Sequence, residues 1–171
     1  MYLRITIISI LICLCSIASA QYVTKVGDTP PALSVDEWLK GEPVTSFETG
    51  NAYLVEFWGT WCGPCIENIP HLSELQKKYS SNGLIVIGVA THEIDGRSKL
   101  DKFMLEHGEE MTYTVGYDAD LSMQENWDTG EKGTDKFRLP VCFLIDKKGK
   151  IVFAGHPSDK KLESAIDNAV N

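Results

Sequence analysis

The sequence is short of several things, and each shortage closes a possibility. Basic residues form no cluster: 16 Lys and Arg stand against 24 Asp and Glu, for a net charge of −8. That balance argues against nucleic acid and against anionic membrane surfaces as partners. The four histidines, His71, His92, His107 and His156, are scattered singly, so no second ligand pair is at hand to complete a zinc site around paired cysteines. Cysteine is scarce too. Beyond the first twenty residues only Cys62, Cys65 and Cys142 remain, too few for the stapled framework of a small disulfide-rich domain. There is no internal repeat and no low-complexity segment.

What is present begins with "MYLRITIISILICLCSIASA". Arg4 precedes an apolar stretch over 5–17, and Ala18-Ser19-Ala20 has the small-x-small spacing of a signal-peptidase site. This layout predicts a secretory signal over 1–20 and a mature chain starting near Gln21. The apolar stretch is short for a membrane span of about 20 residues. An uncleaved amino-terminal anchor stays open as the competing reading, because the positive region is thin. The remaining 151 residues carry 15 basic and 24 acidic side chains, a net of −9, and suffice for one compact domain over 21–171, expected to be a monomer. Export to a periplasm or to the secretory and extracellular space follows from the signal.

The segment 26–51 is rich in Pro and Gly with short extended pieces. It reads as an amino-terminal hairpin or arm, and 21–51 as a unit packed on a core over 52–171. From Ala52 the pattern is regular. "AYLVEFWG" is a β-prone apolar run suited to a strand buried on both faces. "CGPCIENIPHLSELQKKYSS" repeats Cys65, Ile69, Leu72, Leu75 and Gln76 at helical spacing, with Pro70 expected to kink it. "LIVIGVAT" is a second buried strand, so 52–91 forms a right-handed βαβ unit. Further on come a helix with Leu100, Phe103, Met104 and His107 on one stripe, a strand over "MTYTVGYD", a short helix over "DLSMQENW" and a loop over "TGEKGTDK". The hairpin "LPVCFLIDKKGKIVFAGH" and an amphipathic helix capped by Ser158 or Asp159 close the chain. The fold class is α/β, a mixed central sheet with helices on both faces.

Cys62 and Cys65 lie where a buried strand turns into a helix. Cys62 then falls at the helix amino terminus, where unpaired N–H groups and the helix dipole favour a thiolate. Cys65, one turn inside, is shielded and keeps its proton longer. Pro64 suits the first turn. A permanent structural disulfide is a weaker reading, because a two-residue spacer staples nothing distant. A peroxidase nucleophile would want Thr or Ser where Gly59 stands.

"VEFWGTWCGPC" closely resembles thioredoxin. The signal segment, the Pro/Gly-rich arm and "LPVCFLIDKKGKIVFAGH" resemble the exported TlpA/ResA-type branch of that superfamily, over about 26–170. The resemblance implies a thioredoxin fold and a redox-active Cys62–Cys65 disulfide. It also implies a cis proline at Pro140, with the Leu139 backbone offered to an extended substrate. Trp61 is either the apolar rim of that substrate site or a packing residue. Thioredoxins bury an acid six positions before the nucleophile, usually Asp, and Glu56 stands there. TlpA/ResA-type reductants often carry an acid three positions after the second cysteine, where this chain has Asn68. A desolvated Glu56 would have its pKa raised toward a value useful for taking the Cys65 proton; strand alternation could instead point it to a solvated or salt-bridged spot. His92 follows a strand parallel to the one feeding the cysteines, on the same edge. Cys142 reads as a buried inert thiol and Glu109-Glu110 as a solvated turn.

The function expected is an exported thiol–disulfide oxidoreductase that reduces protein disulfides, needing no cofactor and no metal. Its partners would be disulfide-bearing clients and an upstream thiol donor. A disulfide oxidase or isomerase is the alternative within enzymes, and a copper or cytochrome c assembly chaperone on the same fold the alternative outside them.

Overall fold

The computed structural model describes residues 24–127 and 139–171. The signal segment and the "TGEKGTDK" loop lie outside the described residues. The apolar runs read from the sequence pair into one mixed sheet of six strands: β1 (Glu37–Lys40), β2 (Ala52–Trp58), β3 (Leu84–Thr91), β4 (Thr114–Asp118), β5 (Val141–Ile145) and β6 (Ile151–Gly155), in the order β1-β4-β3-β2-β5-β6. The pairs β2–β3 and β3–β4 are parallel; β1, β5 and β6 run antiparallel to their neighbours. Among the described residues four α-helices accompany them: α1 (Gly63–Tyr79), α2 (Arg97–His107), α3 (Ser122–Asn126) and α4 (Lys161–Val170).

Every residue of β2 is buried, and its period of two divides the core. Ala52, Leu54 and Trp58 join a cluster with Ile69, Leu72 and Leu75 of α1, Leu100 of α2, and Leu162 and Ile166 of α4. Tyr53, Val55 and Phe57 join a second cluster with Met123, Trp127 and Phe143. Helices therefore lie on both faces, but unevenly: among the described residues α1, α2 and α4 share one face, and only the five-residue α3 lies on the other. The crossovers explain it, because two right-handed connections stepping the same way along the sheet put α1 and α2 on the same side.

The thinly covered face is closed by the amino-terminal arm. Leu33, Val35, Val44 and Phe47 pack against it, and Phe47 meets Tyr53 and Trp127 edge-on, with ring centroids 5.0 and 6.0 Å apart. Among its described residues the arm forms no hairpin of its own: Pro30-Pro31, Gly41 and Pro43 break it, leaving β1, which pairs with β4 instead. At the opposite sheet edge Gly27 donates to the Ile151 carbonyl at 2.8 Å, and Ile151 donates to Asp28 at 3.0 Å.

Three local details add to the sequence reading. Gln76, half-buried on the stripe of α1, bonds the backbone of Leu84 and Val86 of β3 through its side-chain amide. The helix α1 runs through Pro70 as one element. The start of α4 lies later than expected, at Lys161, whose N–H is accepted by Asp159 Oδ1 at 2.9 Å, while Ser158 bonds Asn68 instead.

The arm's seat makes a testable contact. A Cβ on Gly116 of β4 would meet Val35 Cγ1 at 2.5 Å. Gly116→Ala is expected to lower stability by roughly 1–3 kcal/mol, and Val35→Ala in the same chain should recover part of the loss. Urea unfolding of the two single variants and the double variant measures this; full parental stability in Gly116→Ala would show that the arm does not seat there.

Candidate functional site

At the end of β2 the chain turns through Gly59, Thr60 and Trp61 into α1. The Cys62 N–H closes the turn onto the Gly59 carbonyl at 3.0 Å. Cys62 is the N-cap of α1 with extended backbone, and its Sγ accepts the Cys65 N–H at 3.3 Å. A sulfur in this position faces unpaired helical N–H groups, which favours negative charge on it. Pro64 sits in the first turn, where its missing N–H costs nothing. Cys62 and Cys65 form a disulfide, with residue exposures of 4% and 1%. The cysteine at the helix end is thus the slightly more open of the two.

Two residues following β3 brace this turn. Glu93 accepts from both the Thr60 N–H, at 2.9 Å, and the Thr60 hydroxyl, at 2.5 Å. The Trp61 indole N–H donates to the His92 carbonyl at 2.6 Å, with the two rings 6.0 Å apart. His92 holds a φ of +50°, a left-handed conformation uncommon outside glycine and typical of strained functional loops. From the other side, half-buried Leu139 precedes buried Pro140 through a cis peptide bond. Val141 pairs with Phe57, so the register carries Pro140 across from the end of β2, beside the cysteine turn. All six residues singled out from the sequence except Glu56 therefore gather at this one end of the sheet.

Glu56 lies one layer below. The alternation of β2 sends it to the face of Leu54 and Trp58, the face whose cluster holds Cys62 and Cys65. It is 1% exposed, so the solvated placement does not occur. Its Oε1 has no hydrogen-bond partner, and burial pushes its pKa up to about 8. Across β5 its register partner is Cys142, fully buried and unpaired as a disulfide, with a thiol pushed upward by burial and by Glu56. Asn68, at the position where an acid was looked for, is buried and bonds both the Pro64 carbonyl at 2.7 Å and the Ser158 hydroxyl at 2.6 Å. It ties the first turn of α1 to the segment ahead of α4.

Sequence reasoning missed Glu93 and Thr60. A Thr two residues before Cys62 and an acid just past a parallel strand were the available signals, and both are common enough in loops to pass unremarked. The described residues also bring Asp36, Asp118 and Asp120 close together. Their carboxylates serve the N–H groups of Ala119, Met123, Gln124 and Ser122, and an all-oxygen set is unsuited to copper.

A disulfide that caps a helix over a buried carboxyl, with a cis proline closing the other side, defines a thioredoxin-type oxidoreductase site, and the comparisons with known proteins agree. Residues 25–170 match the Redoxin family model. The chain is 32% identical over 145 residues to the thiol-disulfide oxidoreductase ResA of Bacillus anthracis, covering 83% of this chain and 77% of that one. It is 30% identical over 136 residues to protein FixW of Rhizobium leguminosarum, but spans only 60% of that protein's length. A Chlorobium tepidum structure described as a thiol:disulfide interchange protein DsbE superposes with a TM-score of 0.68 at 25% identity, covering 86% of this chain and 99% of that one. The chain belongs to the Redoxin family, within the thioredoxin superfamily.

Burial of Glu56 has a sign that can be measured. Its pKa is about 8 folded and about 4.3 in an unfolded chain. Between those values the folded protein holds a proton that the unfolded chain lacks. Stability from this group is therefore complete below about pH 4 and falls by up to about 1.4 kcal/mol per pH unit until pH 8. In Glu56→Gln that component disappears, so urea unfolding of the oxidised proteins from pH 5 to pH 8 should show a flatter curve for the variant. Parallel curves would mean that Glu56 titrates normally.

Proposed function

We propose that this thioredoxin-like oxidoreductase is exported and reduces disulfides of protein clients, with Cys62 as the attacking thiol and Cys65 as the resolving one. The position of Cys62 as the cap of α1, its sulfur accepting a backbone N–H, carries the reading, because it favours the thiolate at that cysteine. In the first step the Cys62 thiolate attacks one client sulfur, the client S–S bond breaks, and one client thiolate leaves. In the second, the Cys65 thiol gives its proton to the Glu56 carboxylate and attacks Cys62 Sγ. The mixed disulfide breaks and the second client sulfur departs. The client gains two electrons, and the chain ends in the Cys62–Cys65 disulfide of this structure. An upstream thiol donor reverses the change in the chain.

Trp61, Leu139 and Pro140 form the client's docking rim in this reading. The half-buried indole and the backbone beside the cis bond lie at the cysteine turn, where an extended segment can reach Cys62. The secretory layout of residues 1–20 supports export, and no helix among the described residues is long and apolar enough to cross a membrane.

Cys65→Ser is expected to accumulate mixed disulfides with client proteins under non-reducing electrophoresis, whereas Cys62→Ser should give none; the opposite pattern reverses the two assignments. Direction is read from the reduction potential of the pair, equilibrated against glutathione. A value toward the thioredoxin end, about −270 mV, is expected, and one near the strongly oxidising end, about −120 mV, would make the chain an oxidase.

A further inference from the structure

Three buried polar atoms on the helix-covered face of the sheet make no hydrogen bond: Glu56 Oε1, Trp58 Nε1 and the Tyr113 hydroxyl. Buried polar groups are nearly always satisfied, so three together need a reason. They are neighbours by construction. Glu56 and Trp58 are two apart on β2 and project to one face. In register beside Glu56 on β3 is Gly88, which leaves the space next to the carboxyl without a side chain. Into that space come the Tyr113 ring and the Trp58 indole: a Cβ on Gly88 would meet Tyr113 Cε2 at 2.9 Å and Trp58 Nε1 at 3.3 Å. Tyr113 Cε2 is the ring carbon next to the one bearing the hydroxyl, so the phenol itself borders the gap.

Both flanking atoms are donors, and neither is bonded to the carboxyl in this structure. An ionised carboxylate is the stronger acceptor for them. We propose that Tyr113, with Trp58, supplies the hydrogen bonds that the ionised form of Glu56 accepts, which makes Tyr113 a positioning residue that sets how readily Glu56 is available as a base. The inference rests on the reading of Glu56 as proton acceptor for Cys65. The disulfide state described here follows that transfer, when Glu56 holds the proton and the donors are free. Before the transfer, a turn of the carboxyl about its own side-chain torsions brings it to the donors. Charge-assisted bonds of this kind are the stronger ones, and they offset part of the cost of burying the charge. Gly88 is required for the arrangement, since any side chain there would separate the carboxyl from the phenol.

Among the described residues the other titratable groups around Glu56 are Cys142 from β5 and, once the disulfide is reduced, Cys65 from α1, with the Asp159 carboxylate ahead of α4 acting on Cys142. Tyr113 itself is pushed well above its ordinary range, first by burial and then by the charge of Glu56. It therefore stays protonated across the working range and acts as a donor only.

The test is Tyr113→Phe, which deletes one unpartnered oxygen and keeps the ring. The carboxyl carbon of Glu56, followed by NMR in the reduced protein, should titrate about one pH unit higher in the variant than in the parent. Single-turnover reduction of a model protein disulfide should be slowed about tenfold near pH 7, with the two rates converging above the shifted midpoint. A merely structural role for Tyr113 would change the plateau and leave the midpoint alone, so an unmoved midpoint in a folded variant overturns the proposal. Thermal melts at pH 6, where Glu56 is neutral, should show Tyr113→Phe at least as stable as the parent. Should it fail to fold, Tyr113→Leu, which removes the donor, and Gly88→Ala, which separates the phenol from the carboxyl, are each read by the same Glu56 titration and decide the matter in its place: an upward midpoint upholds the donor role and an unchanged one removes it. Glu56→Gln is the control for the underlying reading. If its rate matches the parent at every pH, Glu56 is not the proton acceptor, and the NMR midpoint alone then decides whether Tyr113 tunes it.

Discussion

A carboxyl group and a disulfide share one dry layer between a sheet and a helix, and most of the structure follows from keeping that layer dry. Glu56 sits in a strand buried along its whole length, in no ion pair among the described residues, and desolvation raises its pKa. In water it would be an ordinary acid with no use for a thiol whose own pKa lies several units higher. Excluding water raises its pKa toward the range of a thiol. Among the described residues three helices cover that face and none of the long ones covers the other.

The turn above this layer is held by hydrogen bonds as well as by the packing of Trp61 on the core. Glu93 takes both donors of Thr60, and the backbone at His92 takes the Trp61 indole. These bonds fix the two residues that precede Cys62 while leaving the cysteine as a cap with its sulfur at the helix end. Exposure of only a few per cent at Cys62 means that a client sulfur has to come to the turn in a defined direction. The cis peptide at Leu139-Pro140 borders the same approach.

Much of this was legible in the sequence because it rests on short-range signals. A buried run followed by Trp61-Cys62-Gly63-Pro64-Cys65 sets strand, turn, cap and helix within fifteen residues, and the six-residue step from Glu56 to Cys62 is fixed by the same geometry. The hairpin of β5 and β6 and the period of α1 were readable for the same reason. What escaped depends on contacts between distant segments. Nothing in "MTYTVGYD" tells that Tyr113 leans over Gly88 toward Glu56, and nothing in the arm tells that its one strand pairs with β4 rather than with itself. Glu93 looks like any loop acid until Thr60 is placed against it. Asn68 shows the limit from the other direction: its position was marked by what relatives carry there, but its use as a tie between α1 and Ser158 is visible only in three dimensions.

The arm's two attachments bear on a matter apart from redox chemistry. One border of the sheet ends in β1, four residues long and carrying a register shift, and the other has the start of β6 already paired to residues 27–28. Exposed strands readily add to open sheet borders, so a short, irregular β1 and an arm bonded to Ile151 each shorten the border on which such a strand could pair.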